Sequence, residues 1–563
     1  MKFSEYPYKR PDMDKFKQEF AILLKGLEAD TVEEQKASVS AINQLRSEFD
    51  TLQNLVYVRH SINTEDEFYK AEQEFFDEVG PEFQEYITDY YRAIVHSKYR
   101  AEFEQEWGKQ LLALAEMSLK TFSPDIIGDL QLENKLSTEY TQLIASAKIS
   151  FEGEERTLSQ LTPFDMSPDR EVRRGAFHAR YDFMAAHESE LDRLYDELVK
   201  VRTGIARKLG YPSFVELGYD RMNRTAYDAG MVAGFRKQVL EYIVPVAQKL
   251  KQRQAERLGL DPLKFYDEGL NFISGNAVPK GEPDWIVAGG AKMYKELSPE
   301  TDEFFTFMQN NELMDLLSKR GKQFGGYCTF ISKYKAPFIF SNFNGTSGDI
   351  DVLTHEVGHA FQVYSSRELN VPEYAFPTYE AAEIHSMSME FFAWPWMNLF
   401  FEEDADKYRF THLADSLEFI PYGVAVDEFQ HYVYSHPEAT PLERKQAWRK
   451  IEQKYLPHRD YDGNPYLEQG GFWQKQTHIY RSPFYYIDYT LAQLCAFQFW
   501  KRANEDFSAA WSDYLRLCKA GGSQDFVSLV KLAGLISPFE DGCVRSVIGE
   551  IEAWLDAVDD KAM

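Results

Sequence analysis

The stretch His355-Glu356-Val357-Gly358-His359 puts two imidazoles and a carboxylate on little more than one turn of chain. On a helix, positions i and i+4 lie one above the other, so His355 and His359 can reach a common metal ion at about 2.0–2.1 Å. Glu356 then stands beside the metal rather than on it, where it can act as general base toward an activated water. With 12 histidines in 563 residues, chance produces this spacing on the order of 0.02 times per chain. The stretch therefore predicts a helix that carries part of a zinc site.

A catalytic zinc takes three protein ligands and keeps one position open, so a third donor is needed. Metzincins place Gly and His three and six positions after the second His; Gln362 and Ser365 stand there instead, which excludes that class. A carboxylate from a following helix is the alternative, and Tyr379 to Glu390 offers Glu380, Glu383 and Glu390. Glu383 and Glu390 share a face with Ser386 between them, so one can bind metal while the other orients a ligand. Glu390, Asp349 and Asp351 are candidate acceptors for the free ring nitrogens of the two histidines. His385 points away around its helix and reads as structural, and His431 reads as a packing residue.

Upstream, Gly325 to Ile331 and Pro337 to Ser341 are rich in aromatic and β-branched residues and flank a polar bend, which predicts a strand pair. It leads through Asn342-Phe343-Asn344-Gly345-Thr346 into the HEVGH helix. Its edge either pairs with an extended peptide or is covered. Most of the remaining chain reads as helix: capping boxes at Thr31 to Glu34 and Thr64 to Glu67, a break at Gly80-Pro81, and helices from Pro168 to about Leu209 and from Thr225 to about Leu258. The first eleven residues read as an extended arm, and Gly259 to Pro283 as a surface excursion. Lys148 to Leu161 alternates around Gly153, a hairpin that divides an N-terminal helical lobe, 1–147, from a larger region, 148–563.

The chain is strongly acidic, with a formal net charge of −28, so its surface repels nucleic-acid backbone and no nucleic-acid partner is expected. Hydrophobic residues make up 44%, enough for a large core and against disorder. No run approaches a membrane span, and the N-terminus lacks the apolar stretch of a signal peptide. The 4 cysteines form no CxxC pair and read as free thiols, which with the rest predicts a cytoplasmic protein.

Far downstream, His478-Ile479-Tyr480-Arg481-Ser482-Pro483-Phe484-Tyr485-Tyr486-Ile487-Asp488-Tyr489 is dense in tyrosine. By itself it reads as an aromatic core helix. Together with Phe343-Asn344-Gly345-Thr346, His355 to Ala360 and Glu383-x-x-Ser386-x-x-x-Glu390, however, it resembles the M3 family of zinc metallopeptidases, which includes oligoendopeptidase F and the thimet-type oligopeptidases. The likeness runs from about Leu158 to Tyr489, with core motifs in 325–490, and favours the oligoendopeptidase F branch.

The resemblance implies a mainly α fold whose helical lobes enclose a deep channel, with a small sheet beside the metal helix. It selects Glu383 as third zinc ligand after His355 and His359. It also implies that His478 and a tyrosine, with Tyr486 and Tyr489 fitting best and Tyr485 next, hold the oxyanion, and Gly470-Gly471 would form a flexible loop that brings them in. The implied reaction is hydrolysis of internal bonds in short, unstructured peptides, with one zinc ion and Glu356 as general base. Two alternatives stand beside it: a metallocarboxypeptidase acting on free C-termini, and a catalytically silent zinc protein that binds peptides.

Overall fold

The computed structural model describes residues 1–319, 321–323 and 325–563. It is mainly α-helical. Long helices at Val32–Ile62, Glu67–Val95, Glu188–Lys208, Ala405–Ser435 and Tyr486–Glu505 set the frame. Among the described residues, no helix is long and apolar enough to cross a membrane.

Two sheets interrupt the helices. β1 (Ile149–Phe151) and β2 (Glu154–Arg156) form the expected hairpin, with Ile149 opposite Arg156. Its turn residues Glu152 and Gly153 have φ of 52° and 78°, the left-handed pair that a two-residue hairpin of matching twist requires. The second sheet has the order β3-β5-β4, with β3 (Met314–Leu317) parallel to β5 (Ala336–Phe343) and β4 (Tyr327–Ile331) antiparallel to it. The predicted strand pair is β4 and β5. β3 carries no strand signal of its own, and it pairs only because the helix Pro299–Asn310 delivers Leu313 beneath β5.

The N-terminal arm is mostly extended but makes one 3-10 turn at Phe3–Glu5. It is pinned to the β4–β5 bend: Tyr6 stacks on Tyr334 at 3.8 Å, and Phe3 packs on Phe338 at 4.4 Å.

One continuous apolar core runs from Phe3 and Leu55 through the site region to Leu555. A second core, Phe16 to Ala115, fills the N-terminal helices and takes in Val371 and Tyr374 from the segment before the Glu383 helix. That segment is bolted in place. Arg46 meets Glu373 at 2.7 Å, Tyr91 donates to Glu373 at 2.6 Å, and the Tyr374 hydroxyl accepts from Leu111 N at 2.9 Å.

Several sequence expectations change. Thr31 caps its helix as read, accepting from Glu34 N at 3.3 Å, but Asp66 rather than Thr64 caps the next helix. Thr64 instead binds the Gly321 carbonyl at 2.7 Å, a tertiary contact that outbids local capping. Gly80-Pro81 does not break the helix Glu67–Val95; packing of Phe76 and Ile87 on either side into the second core holds it continuous. A helix at Phe214–Arg221, capped by Ser213, occupies what reads as loop.

Candidate active site

The HEVGH helix spans Gly348–Ser366. Asp349 folds the preceding turn onto its start by accepting from Asn344 N at 2.8 Å and Gly345 N at 2.7 Å, and acids in the first turn suit the helix dipole. The helix Tyr379–Phe392 crosses it at backbone contact. A Cβ on Gly358 would lie 2.6 Å from Ser386 Cα and 2.7 Å from the His385 carbonyl, so only glycine permits this crossing.

The crossing brings Glu383 to the histidine pair. Glu383 Oε2 lies 3.3 Å from His355 Nε2 and 3.6 Å from His359 Nε2, and one donor atom from each of the three residues falls within 4.8 Å of the others. Two imidazole nitrogens and a carboxylate oxygen form a donor set that suits zinc with a position left open, so these residues fit the ion. Burial disfavours a charge on His355, yet hydrogen bonds to Glu383 and Glu390 raise it well above its ordinary 6.5. His359 is pushed down by burial to about 4, and Glu383, although buried, is held at about 2 by the hydrogen bond and charges of the two histidines.

Of the three carboxylates offered as orienting groups, Glu390 reaches a ring nitrogen. Its Oε1 accepts from His355 Nδ1 at 2.7 Å, and its Oε2 accepts from His412 Nε2 at 2.8 Å. Trp394 Nε1 donates to His412 Nδ1 at 3.2 Å; an indole can only donate, so the His412 proton sits on Nε2 and points at Glu390. Asp349 serves the turn described above. Asp351 accepts from Tyr408 at 2.6 Å.

Glu356 is 8% exposed, and its Oε2 has no hydrogen-bond partner among the described residues. Burial lifts its carboxyl to about 7, with Glu383 and Glu390 adding to the effect of burial and His355 opposing it. It faces β4, for a Cβ on Gly326 would sit 3.5 Å from Glu356 Oε1. The outer edge of β4 is partly covered. Asn54 Nδ2 donates to the Phe330 carbonyl at 3.2 Å, and Thr51 Oγ1 accepts from Lys333 N at 2.9 Å. Antiparallel alternation then turns the backbone groups of Cys328 and Gly326 outward as well.

Across from the histidines, a cavity of about 380 Å³ is lined by His355, Met387, Glu390, Phe419, His478, Tyr486 and Tyr489. Gln476 Nε2 donates to His478 Nδ1 at 2.9 Å and is itself oriented by Tyr422, which donates to its Oε1 at 2.7 Å. This leaves the Nε2–H of His478 as a donor, and burial keeps the ring neutral by lowering its pKa. Tyr485 does something different from its two neighbours: its hydroxyl donates to Glu383 Oε1 at 3.1 Å.

The segment bearing these groups is held in an unusual conformation. Phe484 has φ of 67°, its N–H donates to Gln430 Oε1 at 2.8 Å, and its carbonyl accepts from Arg224. Arg224 also pairs with Asp488 at 2.7 Å, both side chains being 0% exposed. The Phe484 ring presses on Gly218, where a Cβ would meet Cδ2 at 2.5 Å. His431 packs behind this ring at 5.1 Å. Gly470 and Gly471 are not a flexible loop: both are buried, with the Lys445 carbonyl and the Tyr466 ring filling the space any side chain would need. His385 is fully buried, and burial lowers its pKa to about 4.

Sequence reasoning did not find His412, Gln476, Arg224 or Gln430. Each lies far from the ligand motifs along the chain, and no local spacing marks it.

Comparison with known proteins bears on this arrangement. The model of the peptidase M3 N-terminal domain matches residues 3–122, and that of peptidase family M3 matches residues 164–270 and 301–547. No curated protein matches. Among solved structures, PZ peptidase A with an inhibitor is 63% identical with a TM-score of 0.95, covering 100% of both chains. A structure named as a candidate oligoendopeptidase F from Bacillus anthracis str. Ames is 60% identical with a TM-score of 0.90, covering 100% of this chain and 99% of that one. With matched spans that take in the crossed helices, Glu356 and the tyrosine segment alike, the chain belongs to peptidase family M3, on the oligoendopeptidase F branch, and is a metalloendopeptidase.

Proposed function

We propose that this metalloendopeptidase is zinc-dependent and hydrolyses internal bonds of short, unstructured peptides, with His355, His359 and Glu383 holding the ion. The observation that carries the reading is the convergence of these three donors beside a buried Glu356 with a free carboxylate oxygen. Zinc bound there supplies a Lewis acid that lowers the pKa of water from about 15.7 toward about 7.

Glu356 takes the proton of the attacking water and delivers it to the leaving amine, a role suited to a buried carboxylate with one oxygen left free. His478 donates from Nε2 to the developing oxyanion, and Tyr486 and Tyr489, lining the same cavity, supply hydroxyl donors to it. Tyr485 and Ser386, which donates to Glu383 Oε2 at 3.0 Å, orient the ligand carboxylate. The uncovered backbone at Gly326 and Cys328 pairs with an extended substrate, which accounts for a preference for unfolded peptides. The reading includes a cytoplasmic setting, supported by four unpaired thiols; recovery of the protein from the extracellular fraction of producing cells would contradict it.

A peptide blocked at both ends and quenched internally tests the reaction. Cleavage between internal residues, abolished by chelator and restored by zinc, is the expected result; cleavage that needs a free C-terminus would instead establish a carboxypeptidase. A silent binding protein is disfavoured by Glu356 and His478 standing together at the donors.

A further inference from the structure

The short helix Thr477–Arg481, which carries His478, cannot complete its own hydrogen bonding. The Ser482 amide closes onto the His478 carbonyl at 2.8 Å. By the same pattern the next two carbonyls, of Ile479 and Tyr480, would need the amides of residues 483 and 484. Residue 483 is proline and has no N–H, and the Phe484 amide donates to Gln430 instead.

One side chain takes both carbonyls. Arg202, on the helix Glu188–Lys208, donates from Nη2 to the Tyr480 carbonyl and from Nη1, at a longer 3.4 Å, to that of Ile479, as basic side chains do at helix C-termini. The rest of its guanidinium is committed as well: Nη1 also donates to the Tyr434 hydroxyl at 2.9 Å, and Nε to Glu133 Oε1 at 2.7 Å. The side chain is 0% exposed, and a charge so far from water has to be paired and hydrogen-bonded. Glu133 supplies the counter-charge, shared with Arg221 at 3.0 Å. It lies on the helix Ile127–Ala145, which also stacks Tyr140 on Tyr480 with ring centroids 3.9 Å apart. Both Glu133 and Tyr140 fall between the spans that the two family models match. Past Pro483 a second buried arginine, Arg224, takes the Phe484 carbonyl. Guanidiniums therefore hold the main chain on both sides of the turn that separates His478 from Tyr486 and Tyr489.

We propose that Arg202 is a positioning residue for peptide hydrolysis: it replaces the two amides that Pro483 and Phe484 withhold, and so sets the one-turn helix of His478 and the aim of its Nε2–H, with Glu133 holding the guanidinium in place. The inference rests on the proposed role of His478 as oxyanion donor and deepens it by naming what orients that donor. The hydrogen bonds of Arg202 involve none of His355, His359 and Glu383, so its effect falls on kcat and leaves zinc affinity alone.

A double-mutant cycle on the full-length zinc-loaded enzyme, assayed with an internally quenched peptide, separates action through His478 from a general weakening of the fold. Arg202→Lys keeps the charge beside Glu133 but cannot span two carbonyls. It is expected to lower kcat about tenfold, part of the roughly 10²-fold or more that His478→Ala should cost, with KM and zinc affinity unchanged. Once His478 is alanine, Arg202→Lys should alter kcat by less than about twofold. Glu133→Gln, which leaves Arg202 in place and is the gentler change should Arg202→Lys fold poorly in urea unfolding, is expected to lower kcat in the same direction and again only while His478 is present. Losses as large without His478 as with it, or an unchanged kcat in Arg202→Lys, would overturn the proposal. Full kcat in His478→Ala alone would instead remove the oxyanion role on which it rests, a separate result read from the same cycle.

Discussion

Tyr485 donates its hydroxyl to Glu383, 3.1 Å away, whereas Tyr486 and Tyr489 line the cavity that His355 and His478 also border. Three tyrosines that look interchangeable along the chain thus differ in their contacts, and the proposed reaction gives Tyr485 the steadying of a metal ligand and Tyr486 and Tyr489 the meeting of substrate. Tyr485→Phe should weaken zinc affinity roughly tenfold, the usual effect of removing an orienting partner, with kcat restored at saturating zinc. Tyr486→Phe or Tyr489→Phe should keep zinc and, for whichever hydroxyl meets the oxyanion, lower kcat about 10²-fold or more. Competition against a chromophoric chelator and steady-state kinetics report the two quantities. A Tyr485→Phe chain with normal zinc affinity and low kcat at saturating zinc would reverse the division.

Glu356 and Glu383 are two buried carboxylates to which the proposed reaction gives opposite duties. Glu356→Gln is expected to retain zinc and lose nearly all turnover, and Glu383→Ala to lose zinc itself. Metal content of the purified variants, set beside their activity, decides the matter: equal zinc loss in both would end the assignment.

Gly358 tests whether the site depends on the helix crossing. Gly358→Ala places a methyl 2.6 Å from Ser386 Cα, against backbone that cannot turn aside. Overpacking of this kind costs about 1–3 kcal/mol, and separating the helices should also weaken zinc binding. Unfolding in urea and zinc titration should therefore shift together; a variant as stable and as tight for zinc as the parent would show that the crossing is elastic.

Glu373 ties the N-terminal helices to the segment before the Glu383 helix. Its carboxyl is buried, which alone would raise its pKa, but the charge and hydrogen bond of Arg46 bring it below the ordinary 4.5. A depressed carboxylate stabilises the fold at pH above the unfolded-state value and loses that contribution as pH falls through the folded one. Stability supplied by this pair should thus be full at neutral pH and fade below about 4.5. Glu373→Gln should cost about 3–5 kcal/mol at pH 7 because it strands Arg46, and much less in acid. A penalty independent of pH from 7 to 3 would contradict the linkage.

How much of this was legible in the chain follows from distance along it. His355, Glu356, His359, Glu383 and Glu390 lie on two helices, where spacing fixes which side chains share a face, so sequence nominates them and the family resemblance singles out Glu383 as the third ligand. His412 reaches Glu390 only because the helix Ala405–Ser435 packs alongside, and nothing in its own neighbourhood announces that. The same limit explains Thr64, whose capping signal yielded to Gly321, and β3, which needs β5 as a template before it is a strand. The flexible loop implied for Gly470-Gly471 is not found because glycine there serves close packing against Lys445 and Tyr466.

One consequence of the helix Ala405–Ser435 is mechanical. It carries His412, which holds Glu390, and Gln430, which holds Phe484, about 27 Å apart at ~1.5 Å per residue. Pro421 lies between them and cannot supply the N–H that would bond the carbonyl four residues earlier, so the rod has its flexure point there. Phe419 and Tyr422 flank that point and pack on Tyr486. A bend at Pro421 would therefore change the spacing between the residue that holds Glu390 and the residue that holds Phe484, so the two groups of side chains share one support.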